Sequence, residues 1–399
     1  MSRIKLGVIA DDFTGASDAA SFLVKSGNKV ILLTDIPTSM DYDCDCIVVG
    51  LKIRNVESNE AIRQVSKVMD LFEKINVEKY YYKYCSTFDS TPKGNIGPVM
   101  DYLLDRIGIS FSILCPSLPV NGRTVKDGVL YVNGVPLAES SLKNHPLNPM
   151  WDSYIPNLMK SQSKYPVYLY RTDKQYKEIN NKYYLVPDYI DECDGEKIAQ
   201  IFGYLKLLSG GSGLLEHLIK GNNIDDMNML NSNISKSIIV CGSCSEMTNK
   251  QVEQFKKTDN AYISIDSKKL LDGTIGAEKV FKIVKGNLPK VTLIYSDGCE
   301  GNLNKNSDTF LLQSKAMENF LSDIAFLAKE NGFSKIIVAG GETSGAVTMK
   351  LGFDAFYVGQ SVAPGVPWLI PISQPNVLML LKSGNFGDEY FFERAIKEF

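Results

Sequence analysis

Two adjacent acids follow the first apolar run of the chain. In the stretch VIADDFTGASDAA, Asp11 and Asp12 stand where a strand would end, and Thr14, Gly15 and Asp18 lead into a helix. Paired carboxylates at such a place can bind hydroxyl groups, hold Mg²⁺ or act as a general base. A single Asp or Thr would be enough to cap the helix. The pair therefore favours a functional role over capping alone.

A second polar stretch, KYCSTFDSTPKGN, follows a run of three tyrosines. Its hydroxyl and carboxylate side chains can donate and accept several hydrogen bonds, and one lysine adds a positive charge. A turn with a helix cap is the alternative interpretation, and the stretch alone does not decide between them. If it forms a pocket wall for a polyhydroxylated anion, the candidate ligand-binding residues are Ser90, Thr91, Lys93 and Asn95.

Two arginines stand at predicted strand ends. Arg54 closes VVGLKIR, and Arg123 lies in CPSLPVNGRTVKDG. A guanidinium can hold a carboxylate through two parallel hydrogen bonds, although either arginine could instead be an ordinary surface residue. Either one is a candidate for binding the acid group of a ligand.

Three glycine-containing loops characterise the last part of the chain. IIVCGSCSEMTNKQ and IIVAGGETSGAV each lead from an apolar strand through a small-residue loop into a helix, and LLKSGNFGDEYFF supplies a third loop with Lys382. Such loops offer backbone N–H groups and a helix N-terminus to phosphate. None matches the dinucleotide or P-loop spacing, but three in one domain indicate a nucleotide site.

The elements that must position these residues are predicted strands and helices in alternation. The runs KLGVIA, VILLTD, CIVVGL and FSILCP are continuously apolar and are separated by amphipathic segments, a pattern typical of a parallel sheet with both faces covered. A second such series begins after an Asn- and Asp-rich stretch at residues 221–235. We therefore expect two α/β domains, residues 1–225 and 236–399, with largely parallel sheets and a ligand-binding cleft between them.

Composition excludes several classes of function. A net charge of −3 with no long charged block argues against binding to nucleic acid or a membrane surface, and favours a small-molecule ligand. No apolar run is long enough for a membrane span and the N-terminus reads as a strand, which predicts a cytoplasmic protein. The eight cysteines, with only one CxxC pair, are expected to be free thiols. A homodimer is expected only from the general frequency of symmetric dimers.

Seven stretches, in order from residue 7 to about 394, resemble those of the four-carbon acid sugar kinases: ADDFTGASDAA, FDSTPKGNIG, NGRTVKDG, GSCSEMTNKQ, GGETSGAV, APGVPW and LKSGNFG. Within that family KYCSTFDSTP and NHPLNPM are most similar to the 3-oxo-tetronate 4-kinases. Threonate and erythronate kinases tend to read Lys-Lys-x-Asp-Ser-Thr-Leu-Arg-Gly-Asn. Here Pro92-Lys93 stands in place of Leu-Arg and Cys85–Phe88 is inserted, which favours the oxo acid.

The resemblance implies an N-terminal domain that binds an acid sugar and a C-terminal domain that binds ATP. It implies an activity as well, namely ATP-dependent phosphorylation of the terminal (C4) hydroxyl of 3-oxo-tetronate. The nucleotide contacts that it implies fall on the loops that were singled out above as phosphate sites: Ser243, Ser245, Gly340, Gly341, Glu342, Thr343 and Gly384.

A mechanism follows as a hypothesis. Asp12 is the preferred base for the acceptor hydroxyl and Asp11 the next choice, while backbone amides and Mg²⁺ stabilise charge on the β- and γ-phosphates. Lys382 could assist them. D-threonate and D-erythronate remain alternative substrates, and a non-catalytic sensor or a dinucleotide-dependent dehydrogenase represents another class. The absence of GxGxxG argues against the dehydrogenase.

Overall fold

The structure is a computed structural model that describes residues 3–37, 42–144, 148–174, 176, 181–222, 236–297 and 308–397. The chain forms two compact units, Met1–Ile224 and Asp225–Phe399. Residues 223–235, on which the predicted domain boundary falls, lie outside the described residues.

The first unit contains a fully parallel sheet with helices between its strands. Its strands in chain order are β1 (Leu6–Ala10), β2 (Val30–Leu33), β3 (Cys46–Gly50), β4 (Lys79–Lys83), β5 (Phe111–Cys115), β9 (Val167–Leu169), β10 (Tyr183–Val186) and β11 (Leu207–Gly210), where β6 to β8 are three strands described below. They lie in the order β2-β3-β1-β4-β11-β5-β10-β9. The helices are α1 (Phe13–Lys25), α2 (Ser58–Lys74), α3 (Ile96–Ile107), α4 (Ile155–Lys160), α5 (Glu192–Phe202) and α6 (Leu215–Leu218).

The register of this sheet places the carboxyl ends of its central strands side by side. Ala10 pairs with Gly50 on one side and with Lys83 on the other, and Lys83 pairs with Gly210. Strands β1 and β3 are buried along their whole length, as expected for a parallel sheet covered on both faces. The polar residues that follow these strands therefore collect at one edge.

A small antiparallel sheet that was not predicted from the sequence extends the first unit. It consists of β6 (Arg123–Lys126), β7 (Val129–Val132) and β8 (Val135–Pro136). Two-residue turns join the strands, and both residues of each turn have positive φ: Asp127 and Gly128 in the first, Asn133 and Gly134 in the second. These are the Asp-Gly and Asn-Gly turns that suit the twist of a hairpin. Arg123 begins this sheet.

The second unit has a mixed sheet. Its strands are β12 (Ser237–Cys241), β13 (Ala261–Ile265), β14 (Thr292–Ser296), β15 (Lys335–Ala339), β16 (Ala355–Ala363), β17 (Val366–Pro371) and β18 (Leu378–Lys382). The order is β13-β14-β12-β15-β18-β17-β16, and only the pairs β16–β17 and β17–β18 are antiparallel. The helices are α7 (Glu246–Phe255), α8 (Ser267–Leu271), α9 (Ala277–Gly286), α10 (Asp308–Glu330), α11 (Gly341–Leu351) and α12 (Phe391–Lys397). The prediction of two α/β units with largely parallel sheets is confirmed.

The register of the second sheet also aligns its loops. Cys241 pairs with Ala339, and Ala339 pairs with Lys382, so the three predicted phosphate loops leave neighbouring strands at the same level. Beneath them the core packs Trp368, Phe255 and other buried apolar side chains. Among the described residues, no helix combines the length and apolar character that a membrane crossing requires.

Candidate functional site

Arg54 gathers three carboxylates at the carboxyl edge of the first sheet. Its Nε and Nη2 atoms each lie 2.9 Å from one oxygen of Asp11, in a bidentate pair. Nη2 also lies 3.0 Å from Asp12 Oδ2, and Nη1 lies 3.3 Å from Asp89 Oδ2. Because three acids already neutralise it, Arg54 holds the acidic cluster together and has little charge left for a ligand.

Asp11 and Asp12 differ in exposure and in the direction in which their surroundings shift the pKa. The Asp11 side chain is 3% exposed, and burial raises its pKa despite the neighbouring Arg54. The Asp12 side chain is 27% exposed. Burial acts to raise the pKa of Asp12, but Arg54 and Lys83 outweigh it and lower that pKa. Asp12 is thus the ionised carboxylate that a ligand can reach, and Asp11 orients Arg54.

Asp12 also caps helix α1. Its Oδ1 accepts a hydrogen bond from the Gly15 N–H at 2.6 Å, and Oδ2 accepts one from the Thr14 hydroxyl at 3.2 Å. The structure thus shows the capping role of Asp12, and the functional role that the sequence offered as the alternative stays a prediction. Glycine at position 15 permits this close approach of the Asp12 carboxylate, because a Cβ atom there would lie 2.4 Å from Asp12 Oδ1.

A buried ion pair that was not identified from the sequence lies close to Asp12. The Lys83 Nζ, at the end of β4, lies 3.5 Å from Asp18 Oδ2 and donates a hydrogen bond to the Tyr84 carbonyl. Asp18 Oδ2 also accepts the Ser212 hydroxyl at 2.7 Å. The available signal in the sequence was Lys83, a charged residue that directly follows three tyrosines at the end of a predicted strand.

The predicted ligand-binding residues of KYCSTFDSTPKGN have different surroundings. Ser90 is buried, and its Oγ accepts a hydrogen bond from Gln162 at 3.0 Å. Thr91 is half-buried and Lys93 is exposed. The Asn95 amide donates to the carbonyls of Ile53 and Val56 at 2.7 Å each, so this side chain braces the loop that carries Arg54. Direct ligand contact by these four residues stays a prediction.

The stretch NHPLNPM contributes one further contact. Asn148 donates a hydrogen bond to Asp89 Oδ1 at 2.7 Å and so fixes the third carboxylate of the Arg54 cluster. Residues 145–147 of this stretch lie outside the described residues.

Arg123 carries a charge that no acid within ion-pair distance compensates in the described ranges. Its Nη1 donates to the Asn121 carbonyl, and its Nε is buried without a hydrogen-bond partner among the described residues. Burial lowers the pKa of Arg123 accordingly. A buried donor left open is a strong candidate for an anionic ligand.

The serine loop of the second unit starts helix α7. Ser245 is the N-cap, and its Oγ accepts from the Thr248 N–H at 3.3 Å. The Ser243 hydroxyl lies 3.4 Å from the Ser245 hydroxyl. A Cβ atom on Gly384 would lie 2.8 Å from Ser243 Oγ and 3.0 Å from Ser245 Oγ, so the serine loop and the third loop are in close contact. Either serine could serve a nucleotide.

The loop GGET lies between these two. Gly340 is the N-cap of α11 and, as a glycine, provides no side-chain hydrogen bond to the first turn of the helix. Gly341 and Glu342 are exposed, whereas Thr343 is buried beneath Gly242. A helix N-terminus without a side-chain cap, with two glycines at its start, suits phosphate.

Gly340 should tolerate no side chain. Its φ of +125° is outside the range of other residues, and a Cβ atom would lie 3.0 Å from Thr343 Oγ1 and 3.1 Å from the Ser243 nitrogen. We expect Gly340→Ala to lower the free energy of unfolding by about 1–3 kcal/mol and to raise KM for ATP, as measured by urea unfolding and steady-state kinetics. Gly352→Ala is the control, since it also has positive φ but open space, and should leave KM unchanged.

The prediction of free thiols is confirmed for six cysteines and is wrong for one, while Cys299 lies outside the described residues. Cys44, Cys46, Cys85, Cys115, Cys193 and Cys241 are free thiols. Cys244, in the serine loop, is in a disulfide bond. In the described ranges, no group of three or more His, Cys, Asp or Glu side chains is placed to hold a metal ion.

Family models match both units. A sugar-binding N-terminal domain matches residues 6–218, and a nucleotide-binding C-terminal domain matches residues 238–392. The acidic cluster therefore belongs to a sugar-binding domain and the three glycine-containing loops to a nucleotide-binding domain.

Relatives match the chain over nearly its full length. Proteins named 3-oxo-tetronate kinase from Brucella melitensis and Haemophilus influenzae are each 38% identical; the first alignment covers 99% of this chain and 95% of the relative, the second 98% of both. A crystal structure from Salmonella typhimurium LT2 superimposes with a TM-score of 0.85 at 36% identity and covers 99% of each chain. The chain belongs to the 3-oxo-tetronate kinase family, within the four-carbon acid sugar kinases.

Proposed function

We propose that this protein is an ATP-dependent kinase that phosphorylates the C4 hydroxyl of 3-oxo-tetronate and yields 3-oxo-tetronate 4-phosphate and ADP. The observation that carries the proposal is the full-length similarity to proteins of that name. A cytoplasmic location and a homodimer stay predictions.

The first unit supplies groups suited to the acceptor. Asp12, ionised and accessible, accepts a hydrogen bond from the C4 hydroxyl and orients its oxygen toward the γ-phosphorus. Ser90, Thr91 and Lys93 are the candidates for the remaining polar atoms of the substrate, and Asn95, whose amide donors are occupied, would act by holding the loop that carries Arg54. Between the two arginines, Arg123 is the better partner for the carboxylate, because Arg54 is already paired with three acids.

Phosphoryl transfer forms a bond between the C4 oxygen and the γ-phosphorus, and breaks the bond from that phosphorus to the β,γ-bridging oxygen. The transition state is loose, so the hydroxyl proton leaves late and passes to Asp12 or to solvent. The lowered pKa of Asp12 is compatible with this chemistry, because the carboxylate serves mainly as an acceptor that positions the hydroxyl.

The second unit supplies groups suited to ATP. Backbone N–H groups at the start of α11 and the hydroxyls of Ser243 and Ser245 can bind phosphate oxygens. Mg²⁺ in kinases is held by substrate phosphates and one or two protein carboxylates, so here it would arrive with ATP. It would neutralise charge on the β- and γ-phosphates.

A substrate screen tests the activity. ADP release from Mg²⁺-ATP should depend on 3-oxo-tetronate. The kcat/KM for 3-oxo-tetronate should be at least about tenfold higher than for D-threonate or D-erythronate, because a site built to bind one pattern of polar atoms discriminates against another. EDTA should abolish the reaction and excess Mg²⁺ should restore it. ADP release that no four-carbon acid accelerates would refute the proposed function.

A further inference from the structure

Lys382 is a fully buried lysine at the centre of the three phosphate loops. Its side chain is 0% exposed at the end of β18. The ammonium donates hydrogen bonds to Thr248 Oγ1 at 3.0 Å, to the Ser383 carbonyl at 3.1 Å and to the Gly384 carbonyl at 2.8 Å. All three donors are used, so Lys382 cannot also reach a phosphate directly, as the sequence had suggested.

These contacts join the loops to one another. Thr248 Oγ1 donates to the Gly384 carbonyl at 2.7 Å and lies 3.1 Å from Ser245 Oγ. The Gly340 N–H donates to the Lys382 carbonyl at 2.9 Å. One residue thus connects the serine loop, the GGET loop and the third loop.

The charge of Lys382 has no acidic counterpart in the described part of the chain. Lys83 offers the comparison: it also ends a buried strand and also donates to the next carbonyl, but Asp18 lies 3.5 Å from its Nζ. Around Lys382 the described residues provide carbonyls, a hydroxyl and, at 5.9 Å, the ring of Phe391. Buried charges in proteins are normally paired, and the missing partner here is an anion.

We propose that Lys382 is a positioning residue for the nucleotide: it fixes the three loops, and its buried positive charge is neutralised by the polyphosphate that they bind. The inference rests on the proposed function, in that it takes the ligand of these loops to be ATP. It assigns a role through the loops, without contact to the reacting atoms.

A pH dependence of ATP binding follows. Burial lowers the pKa of Lys382 to about 8. The ionisable group facing it is the Cys241 thiol on β12, which stays neutral because burial raises its pKa to about 11. A bound anion favours the charged lysine, so affinity is greatest below pH 8 and falls above it. Nucleotide binding should be about tenfold weaker at pH 9 than at pH 7.

Calorimetric titration with Mg²⁺ and adenylyl imidodiphosphate, a non-hydrolysable ATP analogue, tests this between pH 6.5 and 9.5. Wild-type protein should show the alkaline loss of affinity, and Lys382→Arg should not, since arginine stays charged. Lys382→Met should bind at least about tenfold more weakly at pH 7 and be independent of pH. Without nucleotide, the melting temperature of Lys382→Met should equal or exceed that of the wild type. The increase in melting temperature on adding nucleotide should be smaller than for the wild type.

Lys335→Met is the matched control. Lys335 is buried in the adjacent strand β15, where its Nζ donates to the carbonyls of Ala395 and Ile396 away from the loops. This variant should keep the wild-type nucleotide affinity and its dependence on pH. Wild-type affinity independent of pH from 7 to 9, or Lys382→Met binding within twofold of wild type, would overturn the inference and leave the kinase proposal intact. Failure of the wild type to bind the analogue at any pH would overturn both.

Discussion

Asp12→Asn should reduce kcat by about 10²- to 10⁴-fold, the range associated with a positioned acid–base group. The carboxylate is the only one of the Arg54 cluster's three acids with a side chain more than a quarter exposed, at 27%. Asparagine would present a weaker acceptor and could not take the hydroxyl proton. Steady-state kinetics with 3-oxo-tetronate measure the loss, and binding of the ATP analogue should be unchanged.

The fold should survive this substitution. Asparagine caps helices about as well as aspartate, so the hydrogen bond from the Gly15 N–H can persist. Arg54 keeps its bidentate contact with Asp11 and its pairing with Asp89. Thermal unfolding of the variant should therefore stay close to that of the wild type.

Asp191→Asn provides a control of the same chemistry. Asp191 caps helix α5 and accepts a hydrogen bond from the Asp194 N–H, as Asp12 does from Gly15. It lies outside the acidic cluster, so kcat should not change. If Asp12→Asn also keeps kcat within about threefold, Asp12 is only a helix cap and the proposed role is wrong.

The positions of the site residues could be predicted because parallel strands end at one edge. Asp11, Arg54 and the loop beginning at Tyr84 follow neighbouring strands whose registers end together at Ala10, Gly50 and Lys83. The same rule brought Ser243, Gly340 and Gly384 together in the second unit. Continuous apolar runs were sufficient to locate these strands, and their ends located the polar residues.

The pairing of side chains could not be predicted, because it depends on distances between residues far apart in the chain. Nothing in the sequence shows that Arg54 is neutralised by acids 35 and 43 residues away. The buried lysines at the ends of β4 and β18 look alike in sequence, yet only Lys83 has an acidic partner among the described residues. Which arginine remains open to a ligand follows from these pairings alone.

The small antiparallel sheet is a different case, because its signal was present. Asp127-Gly128 and Asn133-Gly134 are separated by the four-residue apolar run Val129–Val132, a spacing that favours two consecutive hairpins. The hairpins explain why Arg123 is half-buried rather than on a surface loop: β6 begins at this residue and pairs with Val132 of β7.

Arg123→Met should raise KM for 3-oxo-tetronate by about 30- to 1,000-fold with a smaller effect on kcat, because a buried guanidinium–carboxylate contact is worth about 2–4 kcal/mol when one partner is removed. Methionine retains most of the apolar volume, so the loss reports on charge. Arg171→Met is the control, since that arginine pairs with Asp127 at 2.6 Å and should leave KM unchanged.

The proposed contact can also be removed from the substrate side, by a substrate that lacks the carboxylate. Erythrulose replaces the carboxylate of 3-oxo-tetronate by a CH₂OH group and keeps the keto and terminal hydroxyl groups. If Arg123 binds the carboxylate, wild type and Arg123→Met should have similar, low kcat/KM for erythrulose. The effects on kcat/KM of removing the carboxylate and of replacing Arg123 should then not be additive. A further fall of kcat/KM for erythrulose, as large as that for 3-oxo-tetronate, would show that the substitution acts on the fold, and Arg54 would then be the arginine to test.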